Sequence, residues 1–162
     1  MSDLFNGKGA VFSECRKYRY VLFRIWDHAK PMVMFIGLNP STANEISDDP
    51  TIRRVQKFAY DWGYGGVYML NLFAWISTDP AALLTCTDPV GENDIYLKAI
   101  AESASKIIFA WGGFKVNGRD QQVIEMFPDA NALVINKDGT PGHPLYVPGN
   151  VIPCYYNTSK NI

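Results

Sequence analysis

Short apolar runs alternate with amphipathic stretches along most of this chain. Met32-Val33-Met34-Phe35-Ile36, Val67 to Phe73 and Lys106 to Trp111 are nearly unbroken hydrophobic segments, the pattern of strands covered on both faces. Tyr18 to Trp26 instead alternates large apolar residues with Arg19 and Arg24. It predicts a strand that pairs antiparallel with Met32–Ile36 across residues 27–31. A further short strand is expected over Ala132 to Ile135.

Between these segments the apolar period changes. Ile52, Val55, Phe58, Ala59 and Trp62 recur at helical spacing, with Arg53, Arg54, Lys57 and Asp61 on the other face. Asp49-Pro50 places a carboxylate at the N-cap and proline at the first helical position, and Gly63 supplies the stop. Thr78-Asp79-Pro80 starts a short helix by the same device. Asn93 can cap a helix carrying Leu97, Ile100, Ala101 and Ala104, and Arg119 to Phe127 reads as a short helix. Strands alternating with helices predict the α/β class: a three-layer α/β/α sandwich with a mainly parallel central sheet, plus an N-terminal antiparallel strand.

Composition narrows the picture. A chain of 162 residues fits a single domain, 1–162, with residues 1–9 as a loose arm and 148–162 as an extended tail. Hydrophobic residues make up 48% and aromatics 14%, which excludes a disordered chain. A net charge of -1 argues against a strongly basic nucleic-acid binder and leaves room only for a local basic patch. Cys15, Cys86 and Cys154 form no CxxC pair, which argues against a zinc or iron–sulfur site and for a reducing compartment. With no signal peptide and no apolar run of about 20 residues, a cytoplasmic protein is expected.

Polar and small residues follow each apolar strand: Asn39 and Ser41 after the first, Asn71 at the second, Gly112 and Gly113 after the third, His143 after the fourth. A parallel sheet brings such ends to one rim, where ligands bind. Taken alone, Asn39 is better explained by capping backbone groups. Asn71 interrupts an apolar run, either as a core amide satisfied by backbone or as a reader of a planar ligand edge. His143 lies in a loop stiffened by Pro141 and Pro144, where an imidazole can stabilise negative charge. Asp49 is explained by capping, while Asp48 remains open for acid–base work. Arg53-Arg54 reads either as a solvated face or as a phosphate contact at a helix start. Lys8 beside two glycines lacks P-loop spacing.

Several motifs occur together and in order: Leu38-Asn39-Pro40-Ser41-Thr42-Ala43, Asp49-Pro50-Thr51-Ile52-Arg53-Arg54, Trp62-Gly63-Tyr64-Gly65-Gly66, Asn71-Leu72-Phe73-Ala74, Asp88-Pro89-Val90-Gly91, Ala110-Trp111-Gly112 and His143-Pro144-Leu145-Tyr146. The set closely resembles a bacterial and phage family of domains of unknown function, over about Phe12 to Val147. A more distant resemblance is to the uracil-DNA glycosylase superfamily. Gly37-Leu38-Asn39-Pro40 is similar to its Gly-Ile-Asn-Pro-Gly motif, whose Asn positions the attacking water. Met69-Leu70-Asn71 is similar to the strand whose Asn reads uracil, and His143-Pro144 to the loop whose His stabilises the departing base. The stretch Glu45 to Arg54 has no aromatic where that superfamily stacks uracil, and Leu145-Tyr146 stand where its last loop has Ser-Pro.

The resemblance implies a uracil-DNA-glycosylase-like fold and an N-glycosidic hydrolase acting on a nucleobase in DNA, single-stranded DNA included, or in a nucleoside or nucleotide. It implies Asn39 and His143 as catalytic residues, and the residues themselves add Asp48 as an acid–base candidate. Gly37, Pro40, Ser41, Asn71, Phe73, Trp111, Gly112 and Arg53 would bind substrate, with no metal or cofactor. A non-catalytic module binding a nucleotide or modified base in the same cleft is the alternative, and a purely structural protein a third.

Overall fold

The computed structural model describes residues 7–156. One mixed sheet organises them, with strand order β1-β2-β4-β3-β5-β6-β7. The strands are β1 Lys8–Phe12, β2 Arg19–Ile25, β3 Met32–Gly37, β4 Gly66–Asn71, β5 Lys106–Phe109, β6 Asn131–Ala132 and β7 Cys154–Tyr155. The central four, β4, β3, β5 and β6, run parallel, while β1, β2 and β7 add antiparallel strands at the two edges.

The helices are α1 Pro50–Asp61, α2 Ala82–Thr85, α3 Asn93–Ala101 and α4 Arg119–Met126. Side chains of β3 alternate between two cores, as a strand covered on both faces requires. Val33 and Phe35 pack with Ile52, Val55, Phe58 and Ala59 of α1. Met34 and Ile36 pack on the opposite face with Leu97 and Ile100 of α3 and Val123 of α4. The result is a mixed α/β fold with helices on both faces of the sheet. Among the described residues no helix is long and apolar enough to cross a membrane.

The ends of α1 follow from local chemistry. Asp49 Oδ1 accepts from the Ile52 N–H at 2.9 Å, satisfying one of the free amides of the first turn. Beyond the last turn Gly63 takes φ +87°. The Tyr64 and Gly63 amides donate to the Ala59 and Tyr60 carbonyls, closing a Schellman motif.

The structure corrects three expectations. β2 does not pair with β3. It pairs antiparallel with β4, from Leu22 opposite Met69 to Ile25 opposite Gly66, and β4 lies between them. The more apolar β3 takes the centre, with parallel neighbours on both sides, while the arginine-bearing β2 sits further out. The loop after β2 crosses the start of β4, where the Trp26 and Asp27 amides both donate to the Gly65 carbonyl. A Cβ at Gly65 would lie 1.9 Å from the Asp27 carbonyl oxygen, so only glycine fits under the crossing.

Secondly, the arm read over residues 1–9 is not loose at its end, because Lys8 and Gly9 are paired with Arg24 and Phe23 in β1. Residues 1–6 of that arm, and 157–162 of the tail, lie outside the described residues. Thirdly, Asn93 does not cap α3. It is fully buried, and its Nδ2 donates to the carbonyls of Asn71 at 2.6 Å and Leu72 at 3.2 Å, tying the end of β4 from behind.

Candidate functional site

The carboxyl ends of β3, β4 and β5 open onto a cavity of about 390 Å³, within the ~300–1,000 Å³ range usual for small-molecule sites. Gly37 ends β3 and leaves the opening clear. A Cβ there would come within 2.8 Å of Asn71 Oδ1 and 2.7 Å of the Met69 methyl. Asn71 ends β4 directly opposite Gly37 in register. It lines the cavity, is 3% exposed, and its Nδ2 has no hydrogen-bond partner among the described residues. Its backbone is held by Asn93. The next carbonyl, that of Leu72, also accepts from Arg119 Nε at 2.8 Å.

Asn39 lines the same cavity from the loop after β3. Its Nδ2 donates to the carbonyls of Ser77 at 2.8 Å and Pro40 at 3.1 Å. Two carbonyl neighbours fix the orientation of the amide, so the acceptor Oδ1 is the atom left for a ligand. Its amide therefore joins two loops as a cap would, and it still faces the cavity.

His143 enters from the loop that follows β6. Gly112, with φ +77°, donates its N–H to the Pro141 carbonyl at 2.9 Å and brings the loop after β5 against this segment. Pro144–Tyr146 form a 3-10 turn, and His143 Nδ1 accepts the Leu145 N–H at 3.1 Å. With its lone pair committed at Nδ1, the neutral imidazole carries its proton on Nε2. Burial pushes its pKa below the ordinary 6.5, opposed by the negative charge of Asp49. Arg54, on α1, donates from Nε to the Pro144 carbonyl at 3.2 Å and from Nη2 to that of Val147, strapping the loop to the helix.

The predicted site residues thus divide. Gly37, Asn39, Ser41, Asn71, Trp111, Gly112 and His143 line one cavity. Pro40, Phe73, Arg53 and Asp48 do not. Phe73 is buried in the core formed with α3 and α4, and the Pro40 carbonyl accepts from Asn39. Arg53 is exposed, with Nη1 donating to the Asp48 carbonyl at 3.3 Å. The Asp48 carboxylate faces away to Arg24, whose Nε lies 2.9 Å from Oδ1. Desolvation raises the Asp48 pKa, but hydrogen bonds from Arg24 and Gln56 outweigh it and hold the group below the ordinary value.

Its neighbour Asp49 lines the cavity instead, with Oδ2 accepting the Ala43 N–H at 3.3 Å. Arg19, Phe114 and Tyr146 also line the cavity without having been read as site residues. Phe114 follows the Gly112-Gly113 pair and Tyr146 belongs to the His143 motif, so both were within reach of the pattern. Arg19 was not, because an arginine in an alternating strand ordinarily faces solvent. Among the described residues no group of three or more His, Cys, Asp or Glu side chains is arranged to hold a metal ion.

No curated protein and no solved structure matches this chain. Residues 19–145, which carry nearly all of the cavity wall, match the family described as protein of unknown function (DUF1643), and the chain belongs to that family.

Proposed function

We propose that this protein is a glycosylase-like hydrolase that cleaves the N-glycosidic bond of a nucleobase, in DNA or in a nucleoside or nucleotide, on a fold of the uracil-DNA glycosylase kind. The observation that carries the reading is the meeting of Asn39, Asn71 and His143, from three strand-end segments, in one cavity, where Asn71 Nδ2 has no partner among the described residues. Asn39 Oδ1 accepts a hydrogen bond from water and aims it at the sugar C1′. Asn71 reads the base edge. His143, neutral at pH 7, donates from Nε2 to the base as it leaves with the electron pair of the C1′–N bond. The water oxygen forms the new bond to C1′, and its proton ends on the base. Positioning and charge stabilisation are the means of acceleration, so the scheme calls for no cofactor. Phe114 and Tyr146 at the rim supply aromatic faces absent from Glu45 to Arg54. Three scattered free cysteines suit a reducing compartment such as the cytoplasm.

A second reading has one observation in its favour. Asp48 is committed to Arg24, and each oxygen of Asp49 already accepts a backbone amide, so both carboxylates serve structural partners. That arrangement suits a module that binds a nucleotide or modified base without turnover. Incubation with uracil-containing and base-modified DNA, nucleosides and nucleotides, followed by chromatography for free base, separates the two. Cleavage lost in Asn39→Ala and His143→Ala supports the hydrolase. Tight binding without release of base selects the module, and cleavage that survives both substitutions refutes the residue roles.

A further inference from the structure

Three arginines are buried among the described residues: Arg19, Arg24 and Arg119. Two have a carboxylate in contact, Arg24 with Asp48 at 2.9 Å and Arg119 with Asp94 at 2.6 Å. Arg19 has none within ion-pair distance, and it alone of the three lines the cavity. Its guanidinium makes one hydrogen bond, from Nη1 to the Ala43 carbonyl at 3.0 Å, and Nε has no partner among the described residues. Asp49 acts on it only at longer range and spends both carboxylate oxygens on the Ile52 and Ala43 amides.

A buried cation without a counter-charge is strongly disfavoured, and a buried donor without an acceptor adds a further, smaller cost. Asn71 Nδ2 is a second unpartnered buried donor on the same cavity wall. From this we infer that Arg19, beside the base-reading Asn71, is an anion-binding subsite, and that the natural ligand carries a phosphate or carboxylate group that docks there. The planar guanidinium fork suits two-oxygen anions, which it holds side-on by charge-assisted bonds. The inference rests on the reading of this cavity as the site of a nucleobase compound and narrows that reading to an anionic one.

Isothermal titration calorimetry with matched probes tests it. Uridine 5′-monophosphate against uridine isolates a phosphate, orotate against uracil isolates a carboxylate on the base, and inorganic phosphate and acetate test the anion alone. The expected result is binding at least tenfold tighter for one anionic member than for its neutral partner. That gap should fall below threefold in Arg19→Met and be partly kept in Arg19→Lys. Which pair shows the gap identifies the source of the anion. Should Arg19→Met not fold, the wild-type comparison still decides. Equal binding of anionic and neutral members overturns the Arg19 subsite and leaves the nucleobase reading standing. Binding of inorganic phosphate or acetate that depends on Arg19, with no binding of any pyrimidine, keeps the subsite and removes the nucleobase. Failure of every probe to bind overturns both.

Discussion

Arg54 ties α1 to one carbonyl inside the 3-10 turn that presents His143 and to one just after it, and its removal has a calculable local effect. Nε and Nη2 make charge-assisted bonds to the carbonyls of Pro144 and Val147. Such bonds contribute about 1.5–3 kcal/mol each when buried. Arg54 is only half-buried, so water replaces part of what is lost, and about 2 kcal/mol for the pair is the expected cost of Arg54→Ala. Arg54→Lys keeps the charge as a point donor that cannot span both carbonyls, and about 1 kcal/mol is expected. The loss falls on the turn. The Leu145 and Tyr146 amides, which donate to His143 Nδ1 and to the His143 carbonyl, lose protection with it. At tenfold per 1.4 kcal/mol, native-state hydrogen exchange at these two amides should quicken roughly 25-fold in Arg54→Ala and about fivefold in Arg54→Lys. Exchange within α1 should hardly change. Acceleration under about threefold at residues 145 and 146, or an equal acceleration throughout α1 and β3, would refute the strap.

Two further outcomes follow from the geometry. Gly65→Ala drives a Cβ into the Asp27 carbonyl and should cost at least about 3 kcal/mol in urea denaturation, whereas Gly63→Ala, with open space but φ +87°, should cost only ~1–2 kcal/mol; similar losses for both would contradict the crossing. His143 has its pKa lowered on folding, so the unfolded chain binds the extra proton first and the stability held above about pH 6.5 drains away as pH falls through the folded pKa. The urea midpoint should therefore decline more steeply between pH 7 and 5 in the wild type than in His143→Gln, and parallel declines would dismiss the assignment.

What could be read from sequence was whatever local chemistry dictates. Asp49-Pro50 starts a helix in any context, because a carboxylate cap and a proline without an N–H solve the same local problem. The short unbroken apolar run of β3, closed by Gly37 and Pro40, fits a strand covered on both faces. Given those, the placement of Asn39, Asn71 and His143 on one rim follows from a parallel sheet. What escaped depends on neighbours distant in the chain. Adjacency of β2 and β3 in sequence suggested a hairpin, and nothing local announces that β4 will enter between them. Arg19 is buried because that insertion places the start of β2 beside the end of β4, within reach of the Ala43 carbonyl. The choice between Asp48 and Asp49 turns on which side of α1 meets Arg24, a tertiary fact. Asn93 carries a capping residue's chemistry but faces inward, because the carbonyls ending β4 need donors.

The passage of β4 beneath the loop after β2 also bears on how the chain assembles. β2 and β3 leave the ribosome before β4, next to each other and joined by a short connection, yet the finished sheet holds them apart. The cheapest early pairing, in loop-closure entropy, is one that the native topology forbids. Completing the sheet means closing a longer excursion through α1 before β4 gains contacts on either side, the kind of non-local step that slows folding. Gly65 and Gly66, at the entrance, are then the residues on which that insertion depends. Their substitution should delay refolding as well as weaken the folded state, which makes the Trp62-Gly63-Tyr64-Gly65-Gly66 motif an instruction for assembly, set apart from the cavity at the other end of the strands.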